Sequence, residues 1–302
     1  MKKRIIAIVM TMFMFIMAGC SQNKEREITD REGTKVNIPN KIEKIISTAP
    51  SNTEVITELG LKDKLVAVDT YSSDVDGISK ELTKIDFSNP DAEAIIGLDP
   101  DIIIASGHNK TGSSEDPFKL VKEAGIPVVY IPSSESIQGI YEDIEFIANV
   151  LNVESKGNEL VNSMKSKIDE IGKIGKTITD KKSVYFEISP SPSLFTFGQG
   201  TFLNEMIEII GAKNIFDDEK GWISPSAESV ITKNPDIIFT NVNYIENPIK
   251  EIETRDGFEN INAVKNNKVY QIDSNASSRP SQNIILALEQ MAKNIYPDKY
   301  GK

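Results

Sequence analysis

The chain has 302 residues and a formal net charge of −11 at pH 7, because 45 acidic residues outnumber 34 lysines and arginines. Such a surface repels nucleic acid and offers no polybasic patch to anionic lipid. One cysteine and one histidine exclude an internal disulfide, a thiolate metal site and a multi-histidine metal site, so we expect no metal centre and no resident cofactor. A Ser-His-Asp triad would have to include His108, and no catalytic residue is assigned.

The N-terminus carries a signal for export. Basic residues 2–4 precede an apolar run over residues 5–17, and small residues come directly before Cys20. A helix over that run reaches only about 20 Å, which is too short for the roughly 30 Å hydrocarbon core of a bilayer. The pattern predicts a secretory signal peptide over residues 1–19. Its removal leaves 283 residues and shifts the formal charge from −11 to −14.

The segment Met17-Ala18-Gly19-Cys20 resembles the lipobox of bacterial lipoproteins. This resemblance implies cleavage before Cys20, lipid on its thiol and new amino terminus, and attachment to the outer face of the cell membrane. The alternative is an ordinary signal peptide followed by an accidental cysteine. Because the chain has no other cysteine, the exported body uses no disulfide.

Beyond Cys20, a polar tether over residues 20–27 leads into the folded body. Residues 27–38 predict a small hairpin around a glycine turn. Short β-branched runs then alternate with helical patterns, as at Ile102–Ile104 and Val128–Ile131. Strands that are apolar on both faces and separated by helices are typical of a parallel sheet covered by helices.

A long helix is predicted to divide the chain into two halves. Apolar residues recur at intervals of four, four and three along residues 160–171, which indicates one buried stripe on a helix over 154–175. Strand–helix alternation resumes after it. We therefore predict an α/β fold of two lobes with parallel sheets, residues 28–153 and 176–302, bridged by this helix and enclosing a ligand cleft.

Two segments of the halves share a pattern. Glu93 precedes Pro100 by seven residues, Glu228 precedes Pro235 by seven, and a buried apolar run follows each proline. The two glutamates are 135 residues apart. The shared Ala-Glu and the equal spacing indicate an internal duplication, although a helix joined to a strand through Pro-Asp also arises by chance.

Several markers together resemble the class III substrate-binding proteins of ABC importers, the family of receptors for ferric siderophores, haem and vitamin B12. The resemblance implies two lobes around a rigid helix, a ligand in the cleft, and an ABC permease dimer with its ATPase as partner. Its markers are residues 47–54 entering a helix, the Glu93 and Glu228 segments, residues 211–216, and Ser278-Arg279-Pro280 before a final helix.

Loops that follow the strands are rich in serine and asparagine, with isolated aromatics and few charges, which suits a bulky and partly apolar ligand with hydrogen-bonding edges. His108 is either an axial iron ligand or a solvated loop residue. Arg279 either meets an anionic ligand or pairs with the acidic surface. The residues predicted to contact ligand are Tyr71, Phe87, His108, Phe197, Trp222 and Arg279.

The resemblance also implies that Glu93 and Glu228 dock the two lobes onto arginines of the two permease subunits. Two points of contact would fix the orientation of the receptor on a two-fold transporter. The alternative is that both are solvated glutamates on ordinary helices.

These observations predict an extracytoplasmic lipoprotein that is not an enzyme and that delivers an iron complex, first of all a ferric siderophore, to a membrane permease. The iron complex is cargo rather than a cofactor. Within the same class, a corrinoid such as vitamin B12, or haem, is the alternative ligand. From another class, a surface α/β hydrolase is disfavoured because the sequence contains no Gly-x-Ser-x-Gly nucleophile elbow.

Overall fold

A computed structural model describes residues 25–110, 112 and 115–301. The predicted signal peptide and Cys20 lie outside these residues. The described chain begins with an antiparallel hairpin of β1 (Glu25–Thr29) and β2 (Lys35–Pro39), turned at Gly33 with φ of +87°. The predicted tether over 20–27 was therefore too long, because residues 25–27 already pair in the hairpin. Arg26 holds this end of the hairpin against the N-terminal lobe, because its guanidinium donates hydrogen bonds to the carbonyls of Asn149 and Val150.

Five parallel strands form the N-terminal sheet, in the order β5-β4-β3-β6-β7. Because that order reverses between β3 and β6, a crevice opens beyond the carboxyl ends of these two strands. The strands are β3 (Ile45–Ser47), β4 (Leu65–Asp69), β5 (Thr83–Ile85), β6 (Ile102–Ser106) and β7 (Val128–Ile131), and the helices are α1 (Pro50–Glu58), α2 (Ala92–Gly97), α3 (Lys119–Glu123) and α4 (Ile137–Val150).

The continuous apolar runs of the sequence have a simple physical cause. Alternate side chains of β6 enter two separate cores, Ile102 and Ile104 on the face covered by α1 and α4, and Ile103 and Ala105 on the face covered by α2 and α3. Both faces of the strand are buried, so polar alternation is absent. This part of the chain is an α/β layer structure, as predicted.

The bridging helix α5 (Glu154–Gly175) has the bounds that the sequence predicted. Both ends fit tightly against a neighbour. A Cβ atom on Gly157 would lie 2.4 Å from Cβ of Ala148 in α4, and one on Gly175 would lie 2.0 Å from the carbonyl oxygen of Ile209 in the C-terminal half. Glycine at these positions lets the helix approach each lobe more closely than any side chain would allow.

The C-terminal half repeats the architecture with four parallel strands in the order β10-β8-β12-β13, while β9 and β11 form a separate antiparallel pair. The strands are β8 (Ser183–Glu187), β9 (Thr196–Phe197), β10 (Lys213–Asn214), β11 (Trp222–Ile223), β12 (Ile237–Thr240) and β13 (Val269–Gln271). The helices are α6 (Phe202–Ile210), α7 (Ala227–Lys233), α8 (Pro248–Glu253), α9 (Asn262–Lys265), α10 (Ser274–Ser278), α11 (Ile284–Ile295) and α12 (Pro297–Tyr300).

The duplicated pattern corresponds to equivalent helices. Both α2 and α7 are preceded by a side-chain N-cap, and each is followed by a residue with positive φ, Asp99 at 50° and Asn234 at 45°. A proline and a central buried strand, β6 or β12, come next. The two-lobed α/β architecture with parallel sheets and a bridging helix is thus confirmed. Within the described part of the chain, no helix combines the length and apolar character that crossing a bilayer requires.

Candidate ligand-binding cleft

A cavity of about 420 Å³ lies between the two lobes. Its walls come from the loops at the carboxyl ends of β3, β4, β5, β6 and β7 on one side, and of β8, β12 and β13 on the other, with Trp222 of β11 beside them. This is the position at which open parallel sheets collect ligands. Five of the six residues predicted to contact ligand line it: Tyr71, Phe87, His108, Trp222 and Arg279.

An aromatic pair forms the N-terminal wall. Tyr71 is 66% exposed and meets Phe87 edge to face, with ring centroids 5.9 Å apart. Asp69, which is fully buried at the end of β4, accepts a hydrogen bond of 2.8 Å from the Tyr71 amide and another from the Ser72 hydroxyl. Burial raises the pKa of Asp69 in spite of these hydrogen bonds. The tyrosine is thus displayed to solvent on a turn whose base is held from inside the lobe.

A buried asparagine that was not predicted from the sequence, Asn109, joins three of the wall loops. The Asn109 side chain accepts hydrogen bonds from Thr48 Oγ1 at 2.7 Å and the Ser106 amide at 2.8 Å. It also donates one of 2.8 Å to the Phe87 carbonyl. One amide group therefore sets the relative positions of the loops after β3, β5 and β6. The sequence signal was an asparagine within a polar loop, which is too common to single out.

Trp222 forms the opposing C-terminal wall. Its ring is 41% exposed and stacks on Phe195, with centroids 6.1 Å apart and planes inclined by 11°. Phe197, which was predicted to contact ligand, does not line the cavity: it is fully buried, and its ring supports Trp222 and Phe186 from behind. Phe197 and Trp222 are direct partners across β9 and β11 and so share one face of this strand pair, where Trp222 and Phe186 cover the Phe197 ring.

Arg279 lines the cavity, but its charge is already matched. Its guanidinium lies 2.8 Å from a carboxylate oxygen of Glu54 and 2.8 Å from one of Asp74. Burial lowers the pKa of Arg279, and the two carboxylates more than offset this, so the pKa is raised and the group stays protonated. The ligand-free chain thus shows the alternative expected for Arg279, ion pairs with acidic groups of the protein, while the residue still lines the cavity.

His108 is exposed at the cavity wall, on a short turn after β6. Its backbone amide donates a hydrogen bond of 3.2 Å to Ser106 Oγ. No group of three or more histidine, cysteine, aspartate or glutamate side chains is placed to hold a metal ion in the described ranges. The position of His108 is compatible with ligand contact and by itself assigns no iron ligation.

Polar groups line the remainder of the cavity. Asn241, after β12, donates hydrogen bonds to the hydroxyls of Ser277 at 3.1 Å and Ser278 at 3.0 Å. The first turn of α1 faces the cavity and has no side-chain cap, so the backbone amides of Ser51 and Asn52 are available as donors. Residues 132–135, which follow β7, also line the cavity and were missed, although Pro-Ser-Ser after an apolar run is a loop signal.

Glu93 and Glu228 lie away from the cavity, each at the second position of its helix, and both side chains are exposed. Since α2 and α7 run back towards the starts of β6 and β12, their first turns lie near the cleft edge of each sheet. The pKa of Glu228 is lowered by its own amide and by the Ser226 hydroxyl. Both glutamates therefore present negative charge on the cleft side of the molecule, one per lobe.

Comparisons with known proteins agree with this architecture. A sequence profile described as periplasmic binding protein matches residues 45–276. An uncharacterized ABC transporter substrate-binding lipoprotein of Bacillus subtilis is 38% identical over 278 residues, which is 90% of this chain and 86% of that protein. A vitamin B12-binding protein of Vibrio campbellii is 26% identical over 255 residues, covering 84% of this chain and 89% of the relative. A solved structure from Staphylococcus epidermidis, described as a possible iron-binding periplasmic solute-binding protein, is 35% identical with a TM-score of 0.76, and the match covers 85% of this chain and 100% of that one.

Proposed function

Because this chain belongs to the periplasmic binding protein family and is a class III substrate-binding protein of an ABC importer, we propose that its ligand is a corrinoid of the vitamin B12 type. One observation carries the proposal: two exposed aromatic faces, Tyr71 with Phe87 and Trp222, stand on opposite walls of a cavity whose described lining residues offer no unmatched permanent positive charge. The family binds solutes and does not catalyse reactions, which excludes the hydrolase alternative.

Charge favours a corrinoid over an anionic cargo. Cyanocobalamin is neutral overall and carries amide groups around its macrocycle, whereas ferric catecholates are anions and haem has two carboxylates. Arg279 alone among the described lining residues has a permanent positive charge, and two carboxylates already neutralise it. An anionic ligand would also meet the acidic side chain of Glu135 on the wall.

The remaining lining suits a large ring with amide edges. Aromatic faces bind flat apolar surface by burial and stacking. Serine hydroxyls, the Asn241 amide and the free amides of α1 provide hydrogen-bond donors and acceptors for the periphery of such a ring. The Vibrio relative named as a vitamin B12-binding protein aligns over most of the chain, which supports the same ligand.

A ferric siderophore is the second candidate. It is favoured by the exposed His108 on the cavity wall and by the likeness to the Staphylococcus epidermidis protein described as possibly binding iron. A neutral ferric hydroxamate would avoid the charge conflict that an anionic ferric catecholate meets. Haem is third, because its two carboxylates would lack an unpaired arginine.

Titration of purified protein distinguishes these ligands. We expect cyanocobalamin to quench the fluorescence of Trp222 saturably, because the coloured ring would lie against the only tryptophan of the chain. Haem, a ferric hydroxamate and a ferric catecholate are the parallel probes, and free N-acetyltryptophanamide at the same absorbance controls for inner-filter loss. Saturable binding of a ferric complex, with none of cyanocobalamin, would overturn the corrinoid assignment in favour of the second candidate.

Lipid attachment through Cys20 belongs to the same proposal. The apolar run followed by Met17-Ala18-Gly19-Cys20 supports it, and the Bacillus subtilis relative is named a lipoprotein. We expect Cys20→Ala to release the protein from membranes into the soluble fraction without loss of ligand binding, because the body has no disulfide to lose. Fractionation in detergent-free buffer measures this. Persistent membrane association of the variant would contradict an acyl anchor.

Delivery requires a partner, which in this class is the permease with its ATPase. We assign its contacts to Glu93 and Glu228, because each lobe presents one of these exposed carboxylates in an equivalent helical turn. A receptor held at two points has one orientation on a two-fold permease. The test of this assignment is described in the Discussion.

A further inference from the structure

A cluster of charged and polar groups crosses from one lobe to the other around Arg279. This residue follows α10 in the C-terminal lobe, but among the described residues its guanidinium donates only to groups of the N-terminal lobe. Nη1 donates to Glu54 at 2.8 Å, and Nη2 donates to Asp74 at 2.8 Å and to the carbonyl oxygen of Tyr71 at 3.2 Å. One side chain thus joins α1 of the N-terminal lobe to the turn that displays Tyr71.

Neighbouring residues of the C-terminal lobe strengthen the same contacts. Asn275 donates to the second oxygen of Asp74 at 2.9 Å, and the Ser281 hydroxyl donates to the second oxygen of Glu54. Behind Arg279 lies another cavity of about 360 Å³, lined by several carboxylates. Arg279 is the residue shared by the walls of both cavities, and it separates the ligand cleft from this acidic space.

The cluster is largely withdrawn from water. The side chain of Arg279 is 12% exposed and that of Glu54 is 5% exposed, while Asp74 is the outer member at 55%. Burial would raise the pKa of Asp74, but hydrogen bonds from Arg279 and Asn275 lower it. A buried ion pair is weak evidence for stability, yet its fixed geometry can select one arrangement of the parts that it joins.

We infer that Arg279 is a positioning residue, which holds the Tyr71 face of the cleft in place from the opposite lobe. The backbone of Tyr71 is fixed on both sides, because its amide donates to Asp69 within its own lobe and its carbonyl accepts from Arg279. The ring itself is left exposed to the cavity. The assignment of Tyr71 to a ligand wall rests on the proposed function, whereas the coupling of the lobes through Arg279 does not.

Hydrogen exchange of the ligand-free Cys20→Ser chain, followed by mass spectrometry, tests the coupling without any ligand. We expect Arg279→Gln to raise the exchange rate of residues 70–75 at least about tenfold, because this turn then loses its anchor in the other lobe. Arg279→Lys should restore protection only in part, since an ammonium lacks the forked donors that reach two carboxylates and a carbonyl. Asp74→Ala, at the exposed end of the cluster, gives the same readout if Arg279→Gln does not fold.

Arg255→Gln is the matched control, because Arg255 and its partner Glu187 are 8% and 1% exposed and lie within the C-terminal lobe. It should lower stability without changing exchange at residues 70–75. With cyanocobalamin as probe, Arg279→Gln should also weaken binding about tenfold. Unchanged exchange at residues 70–75 in both Arg279→Gln and Asp74→Ala would overturn the inference. Failure of the probe to bind the parent chain would instead count against the corrinoid proposal and leave the exchange result valid.

Discussion

Uptake of the ligand is expected to fall about a hundredfold when Glu93 and Glu228 are both replaced with glutamine, and about tenfold for each single change. Close charge pairs at protein interfaces contribute about 1.5 kcal/mol or more each, and two of them on one receptor act together. Both side chains are exposed and outside the cavity, so ligand affinity should not change. Uptake in cells, measured beside the affinity of the purified variants, separates docking from binding.

Glutamates elsewhere on the surface provide matched controls. Glu25 on the hairpin and Glu170 on the bridging helix are also exposed, and their replacement with glutamine removes the same charge. We expect uptake by this double control to stay near that of the parent. Raised ionic strength should weaken the docking of the parent chain in reconstituted membranes, since exposed charge pairs are screened by salt. Normal uptake with both Glu93 and Glu228 changed would remove these residues from the mechanism.

The second large effect is expected at the aromatic wall. Trp222→Ala should weaken the binding of cyanocobalamin about thirtyfold, which corresponds to about 2 kcal/mol, a typical loss for an aromatic anchor at the centre of an interface. The change removes the exposed ring but leaves Phe195 and Phe197 behind it. Isothermal titration calorimetry is the measurement, because the variant has no tryptophan to report binding.

Tyr244→Ala is the matched control for this experiment. Tyr244 is also an aromatic of the C-terminal lobe, it is 67% exposed, and it does not line the cavity. Its replacement should leave affinity unchanged, and thermal unfolding of both variants should remain close to that of the parent. Parent-like affinity of Trp222→Ala would show that this face of the cleft does not contact the ligand.

The features that the sequence predicted well depend on local patterning. The apolar stripe over residues 160–171 predicted α5, and the apolar runs of β6 and β7 indicated strands covered on both faces. Loops at the carboxyl ends of such strands converge in any parallel sheet. Tyr71 and Trp222 could therefore be placed at the cleft from their position after a strand or in a polar loop.

The features that the sequence did not predict depend on contacts between distant residues. Arg279 and Glu54 are 225 residues apart, and no periodicity reveals that they meet. Phe195 and Phe197 are two residues apart, and nothing in their spacing indicated that both rings would pack against Trp222 and that neither would line the cavity. The hairpin begins earlier than predicted because Arg26 is bound to the end of α4. The polar and charged residues around Arg26 gave no sign of this contact.

Gly157 and Gly175 have a consequence for how cargo is recognised. Both ends of α5 are in close contact with a lobe, so neither end can act as a hinge. Any relative motion of the lobes therefore requires bending of the roughly 27 Å of helix between those glycines. The outline of the empty receptor should then be almost that of the loaded one. A transporter that meets such a receptor has to sense its cargo at the mouth of the cleft, through the bound molecule and the side chains around it, rather than through a large change of shape.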